Sequence, residues 1–375
     1  MGIDTRDLKV ATTGTKTYLE ELCREFRLME DPDIRFVFLT TSASVYTGRN
    51  KLGKILEQFR FQWWKQFALP LKAMRVHCDI VFCTDYFVPV LPFPFIKIPV
   101  FHDAFFFEYP EHYNKLWLFL FRRLAVSAAK RAPVLVAPSL YAKKQIALCT
   151  GIPAARIHCV YEAAKSFDNT KGTPVKPAVV ETILNGRREG LKYILHVGSF
   201  DKRKNLPVLV TAFYKLLQKG YSQFRLVLVG KANGKLNTDA FDDVTAAIEL
   251  YGLQDFVIRT GYLEDMYLPD MYSAAFMYVF PSNNEGFGLP VVESFAFGLP
   301  VIVANNTSLP EVGGNAVLEF DPRSPDELFE KMSMLIENDQ LYKELPAKGK
   351  ERLRFFSWKK AATELAAIFK QAAAK

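Results

Sequence analysis

Short apolar runs alternate with helix-period segments along almost the whole chain, and this alternation constrains the fold more than any other feature. Strands buried on both faces and covered by helices make parallel α/β sheets. In the first half the runs predict strands near Arg35–Thr40, Ile80–Thr84, Pro99–His102 and Val134–Ala137. In the second half they predict Tyr193–Gly198, Arg225–Gly230, Phe256–Arg259, Met277–Phe280 and Pro300–Ala304, with helices at Pro207–Lys219, Asp239–Tyr251 and Pro290–Phe297 between them. A chain of 375 residues has room for two such domains. The segment Lys165–Gly190, rich in proline, asparagine, glycine and scattered charge, is the expected linker.

The five cysteines are odd in number and widely spread, with no C-x-x-C pair, which disfavours a disulfide framework and fits a reducing cytoplasm. The opening MGIDTRDLK carries acids where a signal peptide would carry bases. The most apolar stretch, Tyr86–Phe101, is broken by Pro89, Pro92, Pro94, Lys97 and Pro99, so no membrane span is expected. Charge is uneven: residues 1–175 hold 24 Lys+Arg against 16 Asp+Glu, and residues 176–375 hold 24 against 24. The excess in the first half predicts an anionic partner.

Several chemistries lose support at the level of motif. There is no G-x-x-x-x-G-K-[ST], H-E-x-x-H, G-x-S-x-G or complete G-x-G-x-x-G, because Val291 stands where a third glycine after Gly286 and Gly288 would be needed. Asp31-Pro-Asp33 reads as a turn, not a metal site. Ser139 reads as a helix cap. The aromatic clusters Phe105–Phe107 and Phe119–Phe121 lack an interleaved basic strand and read as core, so no nucleic-acid partner is expected.

The informative segment is Pro281–Glu293, PSNNEGFGLPVVE, between a buried strand and a helix opening at Pro290. A strand, a glycine-bearing turn and a helix present backbone N–H groups to an anion or to polar ligand atoms. Glu285 and Glu293 are spaced to face one cleft, and two carboxylates suit sugar and ribose hydroxyls better than phosphate. Positive charge is supplied by the turn Ser199-Phe200-Asp201-Lys202-Arg203-Lys204-Asn205, which leads into the helix near Pro207. Both turns follow strand ends, where parallel sheets bind their ligands.

These segments resemble the retaining glycosyltransferases of family 4, which have the GT-B fold. The likeness runs through GIDTRDL with TGTKTYLEEL, PVFHDAFFFEYPE, VAPSLYAKKQI, HVGSFDKRKNL, EGFGLPVVES, PVIVANNTSLPEVGG and the closing FSWKKAATEL, in family order. It departs from the family at Thr15-Lys16 in the opening loop and at Tyr161-Glu162-Ala163, where the family often has Pro-Asn-Gly. The resemblance implies two Rossmann-like, doubly wound domains facing a central cleft. They would span 1–175 on the acceptor side and 176–356 on the nucleotide-sugar side, with a terminal helix at about 357–375 crossing back to the first.

The resemblance also implies residue roles. Arg203 and Lys204 would hold the donor diphosphate, with Ser199 in the same turn, and Glu293 would hold the ribose. Glu285 would take the transferred sugar together with Gly286 and the N–H groups of Phe287, Gly288 and Leu289. Gly14 and its neighbours would close over the phosphate, Tyr262 and Leu263 would flank the base, and His102 would sit beside the sugar. The catalytic set would be His102, Glu285, Arg203 and Lys204, with no metal and no cofactor beyond the sugar nucleotide. GDP-mannose is the favoured donor and a UDP-hexose its rival; the product would be a glycan or polysaccharide built on a saccharide or lipid-linked acceptor. A sugar-nucleotide epimerase and an inactive nucleotide-sugar-binding protein are the alternative functions.

One further segment invites a membrane. Residues 49–77 carry Arg49, Lys51, Lys54, Arg60, Lys65, Lys72 and Arg75 against the single acid Glu57. On a helix, Leu52, Ile55, Leu56, Phe59, Trp63 and Phe67 share a stripe, with Phe61 and Trp64 at its shoulder and Lys51, Lys54 and Lys65 away from it. Two expectations follow: peripheral attachment to the inner face of an anionic membrane, or packing of the stripe on the domain's own sheet.

Overall fold

In this computed structural model, residues 1–9, 14–46, 48, 50–113, 115–167, 175–232 and 238–374 are described. The chain divides into two units, Met1–Glu162 with Ser357–Lys375, and Ala163–Phe356.

The first unit is built on parallel strands β1 (Gly2–Asp4), β2 (Val37–Leu39), β3 (Ile80–Cys83) and β4 (Ile96–Pro99), in the order β2-β1-β3-β4. A parallel pair, β5 (Leu135–Ala137) and β6 (Ile157–Cys159), joins this sheet through the bridge Val100–Val136. The strand expected at Pro99–His102 thus lies three residues earlier. Its pairing runs Ile80–Ile96 to Cys83–Pro99, and Pro99 is tolerated at the strand's end. Helix α1 (Gly14–Leu28) buries Tyr18, Leu19, Leu22 and Phe26, an i, i+4 stripe. Then come α2 (Lys51–Trp63), a π-helical turn (Trp64–Ala68) and α3 (Leu69–Arg75). Ser139 caps its helix by accepting from the Ala142 N–H at 3.0 Å, and Asp31 Oδ1 accepts from the Asp33 N–H within the expected turn. Phe105 and Phe121 are core residues, whereas Phe119 is exposed.

The second unit holds one six-stranded parallel sheet, β12-β11-β10-β7-β8-β9. Its strands are β7 (Lys192–Val197), β8 (Phe224–Val229), β9 (Val257–Gly261), β10 (Ala275–Phe280), β11 (Val301–Ala304) and β12 (Val317–Phe320). The central strands are apolar on both faces, as a sheet covered by helices requires. Helix α4 (Leu206–Gln218) follows β7, and α5 (Leu289–Ala296) follows β10. The expected linker is largely structured in this unit. Ala178–Arg188 is a helix because Val180, Ile183 and Gly186 recur at helical spacing and are buried, while residues 168–174 of that span lie outside the described residues.

The C-terminal helix α6 (Trp358–Ala373) belongs to the first unit, as the GT-B pattern requires. Ser357 caps it, the Trp358 ring meets Tyr18 edge-on at 5.8 Å, and Lys370 pairs with Asp31 and Asp33 at 2.9 and 2.8 Å.

Two expectations for the α2 segment are corrected. Lys65 does not belong to an outer basic face: it is buried, with Nζ 2.6 Å from Asp4 and also bound to Asp85. Trp64 is buried as well, donating from Nε1 to Asp4 at 3.0 Å, and Phe61 packs on Phe87. The apolar stripe is the outer face, so it does not pack on the unit's own sheet.

Candidate functional site

The second unit gathers its charged residues at the C-terminal ends of β7 and β10, adjacent central strands. After β7 the chain enters a single 3-10 turn, Lys202–Lys204, capped by Asp201 Oδ1 accepting from the Arg203 N–H at 3.1 Å. Gly198 and Gly230 let β7 and β8 leave the sheet side by side. A Cβ on Gly230, at φ 144°, would stand 1.9 Å from the Gly198 carbonyl oxygen.

After β10 the turn Pro281–Gly288 folds back on that first turn. The Asn283 N–H and the Ser282 hydroxyl donate to the Arg203 carbonyl at 2.7 and 3.0 Å, and Ser308 donates to the carbonyls of Glu285 and Phe287 at 2.9 and 2.8 Å. Gly288, at φ 111°, then starts α5 where a Cβ would press on Leu309 at 3.0 Å.

The two turns converge on one oxygen. Glu285 Oε1 accepts from Lys204 Nζ at 2.6 Å and from Ser282 Oγ at 2.6 Å, and the Arg203 guanidinium lies 3.0 Å away. Burial would raise the Glu285 pKa, but the charges of Arg203 and Lys204 and the bonds from Lys204 and Ser282 hold it down at about 2. Lys204 is driven the opposite way from its own habit: burial and the neighbouring Arg203 charge bring it down to about 8, with Glu285 opposing. Its ammonium also faces the Phe280 ring at 4.6 Å. Beneath lies His196, fully buried and lowered to about 3 by burial and by the Lys204 charge; its Nδ1 bonds to the Val279 carbonyl at 3.1 Å.

Glu293, on α5, takes a separate set of partners. Tyr272 donates its hydroxyl to Glu293 Oε2 at 2.7 Å, the Lys165 backbone N–H contributes a bond, and burial raises the Glu293 pKa despite them. The two carboxylates nevertheless share a neighbour. Tyr278 keeps its proton far above the usual range through burial, then the Glu293 charge and, more weakly, that of Glu285. Tyr262 is exposed after β9 with Lys231 Nζ 5.2 Å from its ring centre, whereas Leu263 is buried. Ser199 accepts from the Asp201 N–H at 2.8 Å through its carbonyl.

In the first unit, His102 follows β4. Its Nε2 meets the Thr84 carbonyl at 2.9 Å and its Nδ1 the Glu162 carboxylate at 3.4 Å, so both nitrogens face acceptors. Burial lowers its pKa, but Glu162, the Thr84 carbonyl and Asp103 outweigh burial and raise it, favouring an imidazolium. Asp103 is taken by the Tyr86 hydroxyl at 2.8 Å. Gly14 is the first residue of α1, and its neighbours at 10–13 lie outside the described residues. Among the described residues, Asp4, Cys83 and Asp85 bring possible metal-ligand atoms within 4.8 Å of one another, but the Lys65 ammonium already bridges the two carboxylates. Burial pushes Asp85 up to about 7 in spite of it.

Sequence reasoning missed Glu162, Ser282, Tyr272 and Lys165. Only Glu162 carried a signal, as the carboxylate standing where the family pattern has Pro-Asn-Gly.

Two α/β units built on parallel sheets are the GT-B class of fold, shared with solved glycosyltransferase structures. Residues 184–352, all within the second unit, match the family model Glycosyl transferases group 1. Over that stretch, and through the relatives that follow, the chain is similar to GT4-type glycosyltransferases. It is 29% identical to O-antigen chain mannosyltransferase B of Escherichia coli over 274 residues, 73% of this chain and 70% of that one. It is 25% identical to the serotype-specific mannosyltransferase WbdA of Escherichia coli over 345 residues, 88% of this chain but 40% of that longer protein. Among solved structures, Anabaena Alr3699/HepE in complex with UDP-glucose superposes with a TM-score of 0.72 at 18% identity, covering 99% of this chain and 100% of that one.

Proposed function

We propose that the protein is a retaining, metal-independent mannosyltransferase that moves mannose from GDP-mannose to a saccharide or lipid-linked acceptor during surface-polysaccharide synthesis of the O-antigen kind. The observation that carries this reading is the pairing of Arg203 and Lys204 on Glu285 at the strand ends of the second unit. Two cations held by one carboxylate are a preformed seat for a more highly charged anion, the diphosphate of a sugar nucleotide. Mannose is favoured over glucose because the named activities of the E. coli relatives are mannosyl transfers, whereas the UDP-glucose of the Anabaena protein comes with a likeness of fold alone.

In this reading the bond between the anomeric carbon and the diphosphate oxygen breaks with its electron pair going to the diphosphate. Arg203 and Lys204 stabilise that developing charge. The acceptor hydroxyl forms the new bond from the leaving-group face, and its proton passes to the departing phosphate oxygen. Glu285 and Glu293 orient the sugar and the ribose without forming a covalent intermediate. The enzyme works in the cytoplasm, at the inner face of the membrane where a lipid-linked acceptor would be presented.

The test is a thermal-shift panel of GDP-mannose, UDP-glucose and ADP-glucose, followed by NMR of the anomeric configuration of the product. Stabilisation by GDP-mannose, transfer that survives EDTA, and an α-linkage from the α-donor are the expected results. A β-linked product, or activity lost to EDTA and restored by magnesium, refutes the mechanism.

A further inference from the structure

The segment α2, π-helical turn and α3 is one uninterrupted helix with its apolar row outside. Leu52, Ile55, Leu56, Phe59, Trp63, Phe67 and Leu71 are exposed, Leu52 by 75%, Phe59 by 69% and Trp63 by 64%. Spacings of four would drift around a pure α-helix of 3.6 residues per turn. The wider turn at Trp64–Ala68, where the Leu69 N–H reaches back to the Trp64 carbonyl, absorbs the drift and keeps Phe67 and Leu71 in line with Trp63. Beside this row opens a cavity of about 610 Å³, walled by Ala43, Phe59, Trp63, Phe67 and Ala68. That size suits a small organic ligand. At its wall the Gln62 Oε1 is buried without a hydrogen-bond partner, and Arg60 and Lys72 stand on its rim.

We infer that this face is a docking site for an anionic phospholipid bilayer, with one lipid hydrocarbon chain entering the cavity and its head group paired with Arg60 and Lys72. Charge decides the occupant. Arg60, Lys72 and the exposed Arg75 flank the row, Lys51 and Lys54 lie on the same helix, and the single acid, Glu57, is turned inward onto Arg6, with Arg60 3.9 Å from its other oxygen and Lys72 donating to the Thr40 carbonyl at 2.8 Å. A second copy docking through the same face would bring these bases against one another, whereas an anionic lipid surface neutralises them. Tryptophan and phenylalanine beside basic residues are the side chains that settle in a lipid interface. The inference concerns the first unit alone and does not depend on the donor sugar.

The experiment uses the full chain with vesicles of phosphatidylcholine alone or with one quarter phosphatidylglycerol, and with monomeric lyso-phosphatidylglycerol below its micelle concentration. Expected results are pelleting with the anionic vesicles at low salt, at least a tenfold fall in binding at 0.5 M salt, and saturable binding of the lyso-lipid. Phe59→Asp with Phe67→Asp, at exposed positions, abolishes pelleting; Ala43→Phe, which obstructs the cavity, abolishes lyso-lipid binding but not pelleting. Unchanged melting temperature and nucleotide-induced thermal shift certify that both variants are folded. Wild-type protein left in the supernatant at low salt overturns the docking site. Equal lyso-lipid binding by Ala43→Phe overturns the cavity assignment. A dimer by light scattering that the double variant dissociates, without vesicle binding, makes the occupant a second copy.

Discussion

Replacing Glu285 by Gln removes the carboxylate on which Arg203, Lys204 and Ser282 converge, and the structure fixes the size of the effect. In the native protein the Glu285 pKa of about 2, against an ordinary 4.5, contributes stability that is complete above about pH 4.5 and is lost as pH falls towards 2. Lys204, brought down from 10.5 to about 8, offsets that gain by a similar amount. The pair is therefore close to neutral for stability while intact, as buried ion pairs commonly are. Breaking it is different: Gln keeps the shape and an acceptor oxygen but takes the nearest counter-charge from the buried Lys204 and the half-buried Arg203, leaving them Asp201, 3.9 Å from Arg203, a loss of about 3–5 kcal/mol. For a unit of this size each kcal/mol moves the melting temperature by about 2–4 °C, so the transition of the second unit should fall by roughly 6–20 °C. A nucleoside diphosphate supplies the missing charge, so scanning calorimetry with and without GDP should show a larger stabilisation of Glu285→Gln than of the wild type. On the proposed roles, transfer activity should fall because Glu285 would no longer hold the sugar, while GDP affinity should be kept or improved. An unaltered melting temperature, or GDP binding weakened more than tenfold, refutes the electrostatic argument.

Arg203→Ala should weaken GDP by about tenfold or more yet leave guanosine binding almost unchanged, read by calorimetric titration; equal losses would show that the guanidinium does not hold the diphosphate. Glu293→Gln should weaken GDP itself, and Tyr272→Phe should do so to a lesser degree, since the phenol only fixes the carboxylate at 2.7 Å. The His102 ring should titrate by NMR above its ordinary 6.5 and give stability present below that value and lost as pH rises through the raised one. Glu162→Gln should bring the midpoint down, because burial is then opposed by the Thr84 carbonyl and Asp103 alone; a midpoint left unchanged would dissociate Glu162 from His102.

The strands of the second unit were legible because each is a run apolar on both faces bounded by turn residues, and β7, β8, β10 and β11 lie within one or two residues of their expected ends. β12 was not, since Val317–Phe320 is short and holds Glu319 among its apolar residues. β4 was misplaced because prolines crowd Tyr86–Phe101 and hide the ladder that Ile96 and Ile98 make with β3. The segments bearing Glu285 and Arg203 could be read from their local strand-turn contexts. Tyr272 and Ser282 could not be read as partners, since a hydroxyl that completes a carboxylate's bonding leaves no periodic trace. Lys65 shows a different limit. Helical spacing tells which residues share a face but not which face is inward, and here the lysine is inside while the phenylalanines are outside.

That inversion makes the long helix a lever with two working ends. Trp64 and Lys65, pointed inward from the π-helical turn, grip Asp4 at the end of β1 and Asp85 just past β3, the point at which successive strand connections depart to opposite sides of the sheet. Because the π-turn carries one residue more than an α-turn, deleting Gln66 would restore ordinary winding and leave the rod beyond it nearly in phase, whereas the same deletion inside α2 would turn everything after it by roughly a quarter revolution. The outer row of α2 and the grip on the strand ends would then fall out of phase, so the wide turn is the one place in the rod where a residue can be lost without parting them.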